Sequence, residues 1–226
     1  MHSALGGRNV RVVSEPAPVM CVVDDVASFL AAVSRLLRAA GYAVQTFSSA
    51  EQFLAQLADA PGCLIADLRM PGMSGLDLQR SLAGNALAPP MIFLTGQGDI
   101  ETSVRAMRQG AEDFLTKDAS KAALLEAVER ALTRDARQRA QRARMHELRA
   151  RFDALTPRER DVLQHVVQGR LNKQIAGDLG IGERTVKLHR TAITAKLRVR
   201  SVAELTRLVQ EAAVLEQRPP TFPKGQ

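Results

Sequence analysis

Five polar side chains within the first 117 residues of the 226-residue chain could do chemistry together: Asp24, Asp25, Asp67, Thr95 and Lys117. Each stands just after a short apolar run: VMCVV before the acidic pair, CLIA before Asp67, MIFL before Thr95 and DFLT before Lys117. Three carboxylates brought together repel one another and favour a bound cation. An all-oxygen set suits a hard divalent ion such as Mg²⁺, which keeps positions open for water and phosphate. A carboxylate beside such an ion can attack a phosphoryl group and become an aspartyl-phosphate. Thr95 and Lys117 would then bind the new phosphate oxygens. Taken singly, an Asp after a strand is ordinarily a turn or helix cap, and a Lys at a strand end is ordinarily solvated. Five such residues at the strand ends of one sheet are not explained that way.

The elements that must position them follow from the hydrophobic pattern. Val19–Val23, Ala43–Phe47, Cys63–Ala66, Met91–Leu94 and Asp113–Thr116 are short runs suited to strands. Helical spacing lies between them: Ser28–Ala40, a segment started by Ser48 with Glu51 as a capping box, Gly75–Leu82, Ile100–Gln109, and a long helix from near Ser120. Strands alternating with helices predict a five-stranded parallel, doubly wound α/β sheet. Function in such sheets gathers beyond the C-terminal strand ends, where the five residues stand.

Charge divides the chain. Residues 1–130 hold 11 Lys+Arg against 14 Asp+Glu, a net −3, and residues 131–226 hold 20 against 10, a net +10. A basic half suits a polyanionic partner such as nucleic acid, although charge alone does not separate that from an acidic membrane surface. No apolar stretch approaches the roughly 18 residues of a spanning helix, and the N-terminus has no secretory-type apolar segment. A cytoplasmic protein without a membrane partner is expected. Cys21 and Cys63 lie in apolar runs and read as buried free thiols.

Residues 1–17 read as a flexible leader and 215–226 as a flexible tail. Beyond Thr133 the run TRDARQRAQRARMHELRAR is almost wholly polar, which fits a solvated helical bridge over 136–152. Residues 153–214 then read as four short helices. Thr156-Pro157 with Glu159 is a strong helix start. Lys173–Leu179 and Glu183–Leu197, joined by Gly180-Ile181-Gly182, form a helix-turn-helix whose second helix can enter the major groove. Its outward face carries Arg184, Lys187, Leu188, Thr191 and Arg190, while Val186, Ile193 and Leu197 face the core. The low aromatic content of 4% argues against single-strand or RNA readout.

VVDD (22–25), DLRMPGMSGLDL (67–78), FLTGQGD (93–99) and AMRQGAEDFLTK (106–117) together resemble the receiver domain of two-component response regulators over about residues 18–135. The resemblance implies phosphorylation of Asp67. It implies Mg²⁺ held by Asp24, Asp25, Asp67 and the backbone carbonyl of Arg69, with Thr95 and Lys117 on the phosphate. It implies a switch through Thr95 and the aromatic Phe114, which is equally compatible with ordinary core packing. The sequence departs from the family where a proline usually follows the lysine: here Asp118 stands. A trans peptide is expected there, since a cis bond to a non-proline residue costs about 2.5–4 kcal/mol, and Asp118 could cap the next helix.

Residues 155–201 resemble the LuxR-type helix-turn-helix, nearest to the FixJ-like branch of response regulators. That resemblance implies base contacts from Lys187, Leu188 and Thr191. It offers Asn172, Lys173, Arg184, Thr185, His189 and Lys196 for phosphate contacts or for framing the helix, with His189 equally readable as a structural histidine. The expected function is a phosphorylation-dependent, DNA-binding transcriptional regulator and not an enzyme. Its expected partners are a sensor histidine kinase, double-stranded promoter DNA, RNA polymerase and a second copy of the chain on phosphorylation. An aspartyl-phosphate hydrolase is the alternative from another class, but Arg69 stands where its general acid would be. A receiver serving only as an unphosphorylated scaffold is the third reading.

Overall fold

A computed structural model describes residues 17–57, 62–85, 88–96 and 100–216. The leader up to residue 16, the tail from residue 217, and Gln97, Gly98 and Asp99 of the third motif lie outside the described residues. The first unit, up to Arg137, contains strands β1 (Val19–Val23), β2 (Ala43–Phe47), β3 (Gly62–Asp67), β4 (Met91–Thr95) and β5 (Asp113–Thr116). They alternate with helices α1 (Ala27–Ala39), α2 (Ala50–Ala55), α3 (Gly75–Leu82), α4 (Ile100–Arg108) and α5 (Lys121–Asp153). All neighbouring strands are parallel and their order is β2-β1-β3-β4-β5. The order reverses between β1 and β3, and a crevice opens at such a switch point. Asp24 follows one of these strands and Asp67 ends the other.

Period-two alternation sends β3 side chains into two cores. Leu64 and Ala66 join Phe47, Phe53, Leu78 and Phe93 on one face. Cys63 and Ile65 join Leu37, Leu124, Val128 and Ala131 on the other. Six consecutive buried residues in β3 explain its unbroken apolar run. Both cysteines are free, Cys63 buried and Cys21 half-buried. Burial pushes the Cys63 thiol up to about 12, so it is chemically quiet.

Two local expectations differ from the structure. Helix α2 is capped by Ser49, whose hydroxyl accepts from Gln52 N at 3.2 Å, and not by Ser48. Gln52 Oε1 accepts from Ser48 N at 2.8 Å, one residue before the cap, so the expected reciprocal box does not form. Asp118 does not cap α5: Ser120 does, accepting from Ala123 N at 3.1 Å. The described peptide bonds, Lys117–Asp118 among them, are trans.

The second unit, from Gln138, holds the rest of α5 with α6 (Pro157–Val167), α7 (Asn172–Leu179), α8 (Glu183–Leu197) and α9 (Val202–Glu216). The segment expected to be a solvated bridge is not polar all round. Leu148 is buried and Phe152 half-buried in the core of Leu155, Val162, Ile175, Val186, Ile193, Leu197 and Leu205. Arg144 grips Glu211 of α9 with two hydrogen bonds, 2.7 and 2.9 Å. Leu148 and Phe152, with Arg144 and with Arg151 donating to the Leu197 carbonyl at 3.4 Å, seat this part of α5 in the second unit.

Thr156 caps α6 as the sequence predicts. Its hydroxyl accepts from Glu159 N at 3.2 Å, and Glu159 accepts from Thr156 N at 2.8 Å. Gly180, in the left-handed conformation at φ 63°, ends α7 and Gly182 starts α8.

Candidate functional site

Asp24, Asp67, Thr95 and Lys117 meet at the C-terminal edge of the sheet because parallel strands finish together. Asp24 and Thr95 are each 1% exposed and Asp67 7%. Carboxylate oxygens of Asp24, Asp25 and Asp67 all lie within 4.8 Å of one another, with Asp25 the exposed member. Lys117 Nζ stands 2.6 Å from Asp24 Oδ2 and 2.9 Å from Asp67 Oδ2. Backbone donors hold the other oxygens: Val26 N donates to Asp24 Oδ1 at 2.8 Å, and Leu68 N to Asp67 Oδ1 at 2.7 Å. Lys117 N donates to the Thr95 carbonyl at 2.8 Å, tying the two phosphate-binding candidates to one backbone ladder.

Burial pushes the Asp24 carboxyl up, and the neighbouring Asp67 adds to this, against the lowering by Lys117 and Val26 N–H. Burial alone would lower the Lys117 ammonium, but the bonds and charges of Asp24 and Asp67 together raise it. The directions agree physically: one ammonium is shared by two carboxylates, so it gains from both while each carboxylate receives part of it. The site is anionic and oxygen-only, the donor set of a hard divalent cation.

Sequence reasoning missed Phe29. It reads as part of the apolar stripe of α1, yet its ring centroid lies 4.4 Å from Lys117 Nζ, a cation–π distance. Phe114 is half-buried, 6.1 Å from the Phe93 ring at 44°. Arg69 is exposed in the loop after β3.

In the second unit, Arg184, Thr185, Lys187, Leu188 and Thr191 lie exposed along α8, while Val186, Ile193 and Leu197 are buried. Leu188 is 64% exposed, a leucine on an otherwise polar face. Lys173 is exposed on α7 and His189 is half-buried. Two candidates on α8 are engaged within the unit. Lys196 Nζ pairs with Glu159 Oε2 at 2.7 Å, and half-buried Arg190 donates to Asn172 Oδ1 at 3.1 Å. These two frame α8 against α6 and α7, roles that spacing on α8 alone does not separate from DNA contact.

Two families match this chain: the response regulator receiver domain over residues 20–129, and the luxR family of bacterial regulatory proteins over residues 153–209. The response regulator protein TodT of Pseudomonas putida is 43% identical over 202 residues, 89% of either chain. The transcriptional regulatory protein FixJ of Rhizobium meliloti is 40% identical over 188 residues, 83% of this chain and 92% of that one. Among solved structures, the response regulator StyR is 46% identical with a TM-score of 0.83, covering 87% of this chain and 100% of that one.

Proposed function

Since the chain belongs to the response regulators that join a receiver domain to a LuxR-type DNA-binding domain, we propose that phosphorylation of Asp67 by a partner sensor histidine kinase controls its binding to promoter DNA. One observation carries the chemistry: a single ammonium, Lys117, is held between two buried carboxylates, Asp24 and Asp67. Asp67 is the acceptor because it alone ends the central strand β3 and has one oxygen fixed by the next backbone N–H. Its carboxylate oxygen forms the new bond to phosphorus. The bond from phosphorus to the kinase's imidazole nitrogen breaks, and its electron pair stays on that nitrogen. Lys117, already at 2.9 Å, is placed to follow the charge onto the phosphate oxygens, and Thr95 to donate its hydroxyl to one of them.

Mg²⁺, held by Asp24, Asp25, Asp67 and the Arg69 carbonyl, would neutralise the phosphate charge that these carboxylates otherwise repel. The three carboxylates fit it by their spacing and oxygen chemistry. Thr95 and Phe114 form the switch in this reading. A homodimer on phosphorylation is supported by Ile100, Val104 and Met107, exposed at one-turn spacing along α4. A second copy would read a two-fold-related promoter site, with RNA polymerase as the further partner. Lys187, Leu188 and Thr191 are placed at base edges, and Lys173, Arg184 and Thr185 on phosphates. His189, Arg190 and Lys196 support the helix. We assign 18–135 to the receiver, 136–152 to the connecting helix and 153–214 to DNA binding, in a cytoplasmic protein. Among the described residues no helix is long and apolar enough to cross a membrane.

DNA binding and gel filtration, each with and without Mg²⁺ and a small acyl-phosphate donor, test this. Tighter binding and a larger species with the donor are expected, both lost in Asp67→Asn. A protein that instead turns over a phosphomonoester many times would favour the hydrolase.

A further inference from the structure

We propose that Glu51, on α2, is a positioning residue for the phosphorylation site, fixing the loop between β3 and α3 that carries Arg69. Its Oε1 accepts a hydrogen bond from Met73 N at 3.0 Å, across 22 residues of sequence. The start of α2 is capped by other groups, the Ser49 hydroxyl accepting from Gln52 N at 3.2 Å and Gln52 Oε1 accepting from Ser48 N at 2.8 Å. The loop runs from Asp67, at the end of β3, to the start of α3. One end is closed by Gly75 N donating to the Leu68 carbonyl at 3.0 Å. Met70 is buried within it. Between these points the chain turns through Gly72 at φ +76°, where a Cβ would stand 3.0 Å from Glu51 Oε1. Glycine permits both the left-handed turn and the approach of the carboxylate. Glu51's own N–H, then the Ser49 hydroxyl and Met73 N–H, hold its carboxyl below the ordinary range, so it is an anion at neutral pH. The loop is therefore tied at its base, its middle and its tip, and the tip is tied to α2.

The consequence concerns Mg²⁺ and rests on the reading that the Arg69 carbonyl completes its site. A ligand supplied by a backbone carbonyl cannot choose a rotamer; only the loop's shape places it. Freeing the tip makes the ion order the loop on binding, which weakens affinity. The expected loss is about three- to tenfold, the scale of one net hydrogen bond.

The test is calorimetric titration of the full-length chain with MgCl₂ alone at neutral pH, with the Mg²⁺ dependence of phosphorylation as a second readout. Glu51→Ala should raise the Mg²⁺ Kd by that factor and reach near wild-type phosphorylation at saturating Mg²⁺. Glu51→Gln keeps an acceptor oxygen and should stay within about twofold of wild type. Gln52→Ala loosens the start of α2 without removing the bond to Met73 and should leave the Kd unchanged. A wild-type Kd in Glu51→Ala, or an equal loss in Gln52→Ala, overturns the role of Glu51. Asp25→Ala separates the two levels. It should weaken Mg²⁺ far more than any of these, and an unchanged Kd there would overturn the metal site itself, and the role of Glu51 with it.

Discussion

In the first unit all but one of the carboxylates that matter are buried: Asp24 and Asp67 line the sheet edge with Thr95, Lys117 bridges Asp24 and Asp67, and Asp25 is exposed. In the second unit the polar residues that matter point to solvent along α8, over a core of Val186, Ile193 and Leu197. The first arrangement makes stability and chemistry share the same atoms. The second separates them, since the exposed side chains of α8 lie on one face and the buried Val186, Ile193 and Leu197 on the other. A buried site can respond to one added charge, whereas an exposed face can change its specificity without unfolding.

The largest test of this contrast is Asp67→Asn. An amide cannot attack phosphorus as a carboxylate does, so acid-labile phosphate on the chain should vanish altogether. Undiminished label on the mutant would end the assignment. Next in size is the core of the second unit. Ile193→Ala should cost about 2–5 kcal/mol in urea unfolding, while Leu188→Ala, five residues away, should change stability by less than about 0.5 kcal/mol. Similar losses from both would mean that the two faces of α8 are not separate.

A sharper test lies within the exposed set. Lys187→Ala should remove about 1–3 kcal/mol of discrimination between cognate and scrambled duplexes. Lys173→Ala should weaken both alike and lower the salt slope by about 1. A cognate-to-scrambled ratio unchanged by Lys187→Ala would remove that residue from the bases.

The smallest effect concerns the pair of buried Glu159 and half-buried Lys196 in the second unit. Glu159 is held below the ordinary glutamate value, first by Lys196 and then by Thr156 N–H. A carboxyl with a lowered folded pKa stabilises fully above its unfolded value and loses that stabilisation as pH falls through the folded one. The Tm advantage of wild type over Glu159→Gln should thus hold at pH 7 and shrink below roughly pH 4. An advantage independent of pH would show that shape, not charge, matters there.

Much of this was legible in the sequence. Apolar runs followed by acidic, hydroxyl or basic residues locate the sheet edge, because parallel strands must end together. The cap of α6 is legible because Thr156, Pro157 and Glu159 act within one turn. What escaped depends on contacts distant in sequence. Ser48 and Ser49 offer equivalent caps, with Glu51 and Gln52 equally spaced behind them, and Glu51's bond to Met73 is a tertiary contact. Leu148 stands among arginines, where no periodicity shows that it is buried. Phe29 and Lys196 fit their expected patterns and differ only in what they touch. The Phe29 ring lies against Lys117, and Lys196 turns inward to Glu159.

The buried carboxylate of Asp135 has a practical bearing on where this chain can be cut. Its Oδ2 accepts from Gly62 N at 2.9 Å, at the first residue of β3. Gly62 has no room to rearrange, since a Cβ there would fall 1.9 Å from the Val19 carbonyl oxygen. The family match ends at residue 129, six residues earlier. A receiver truncated at that match, or fused there to a foreign output domain, would strand a buried N–H at the start of its central strand, costing about 1–3 kcal/mol. Hybrid regulators assembled from this receiver should keep α5 at least through Asp135.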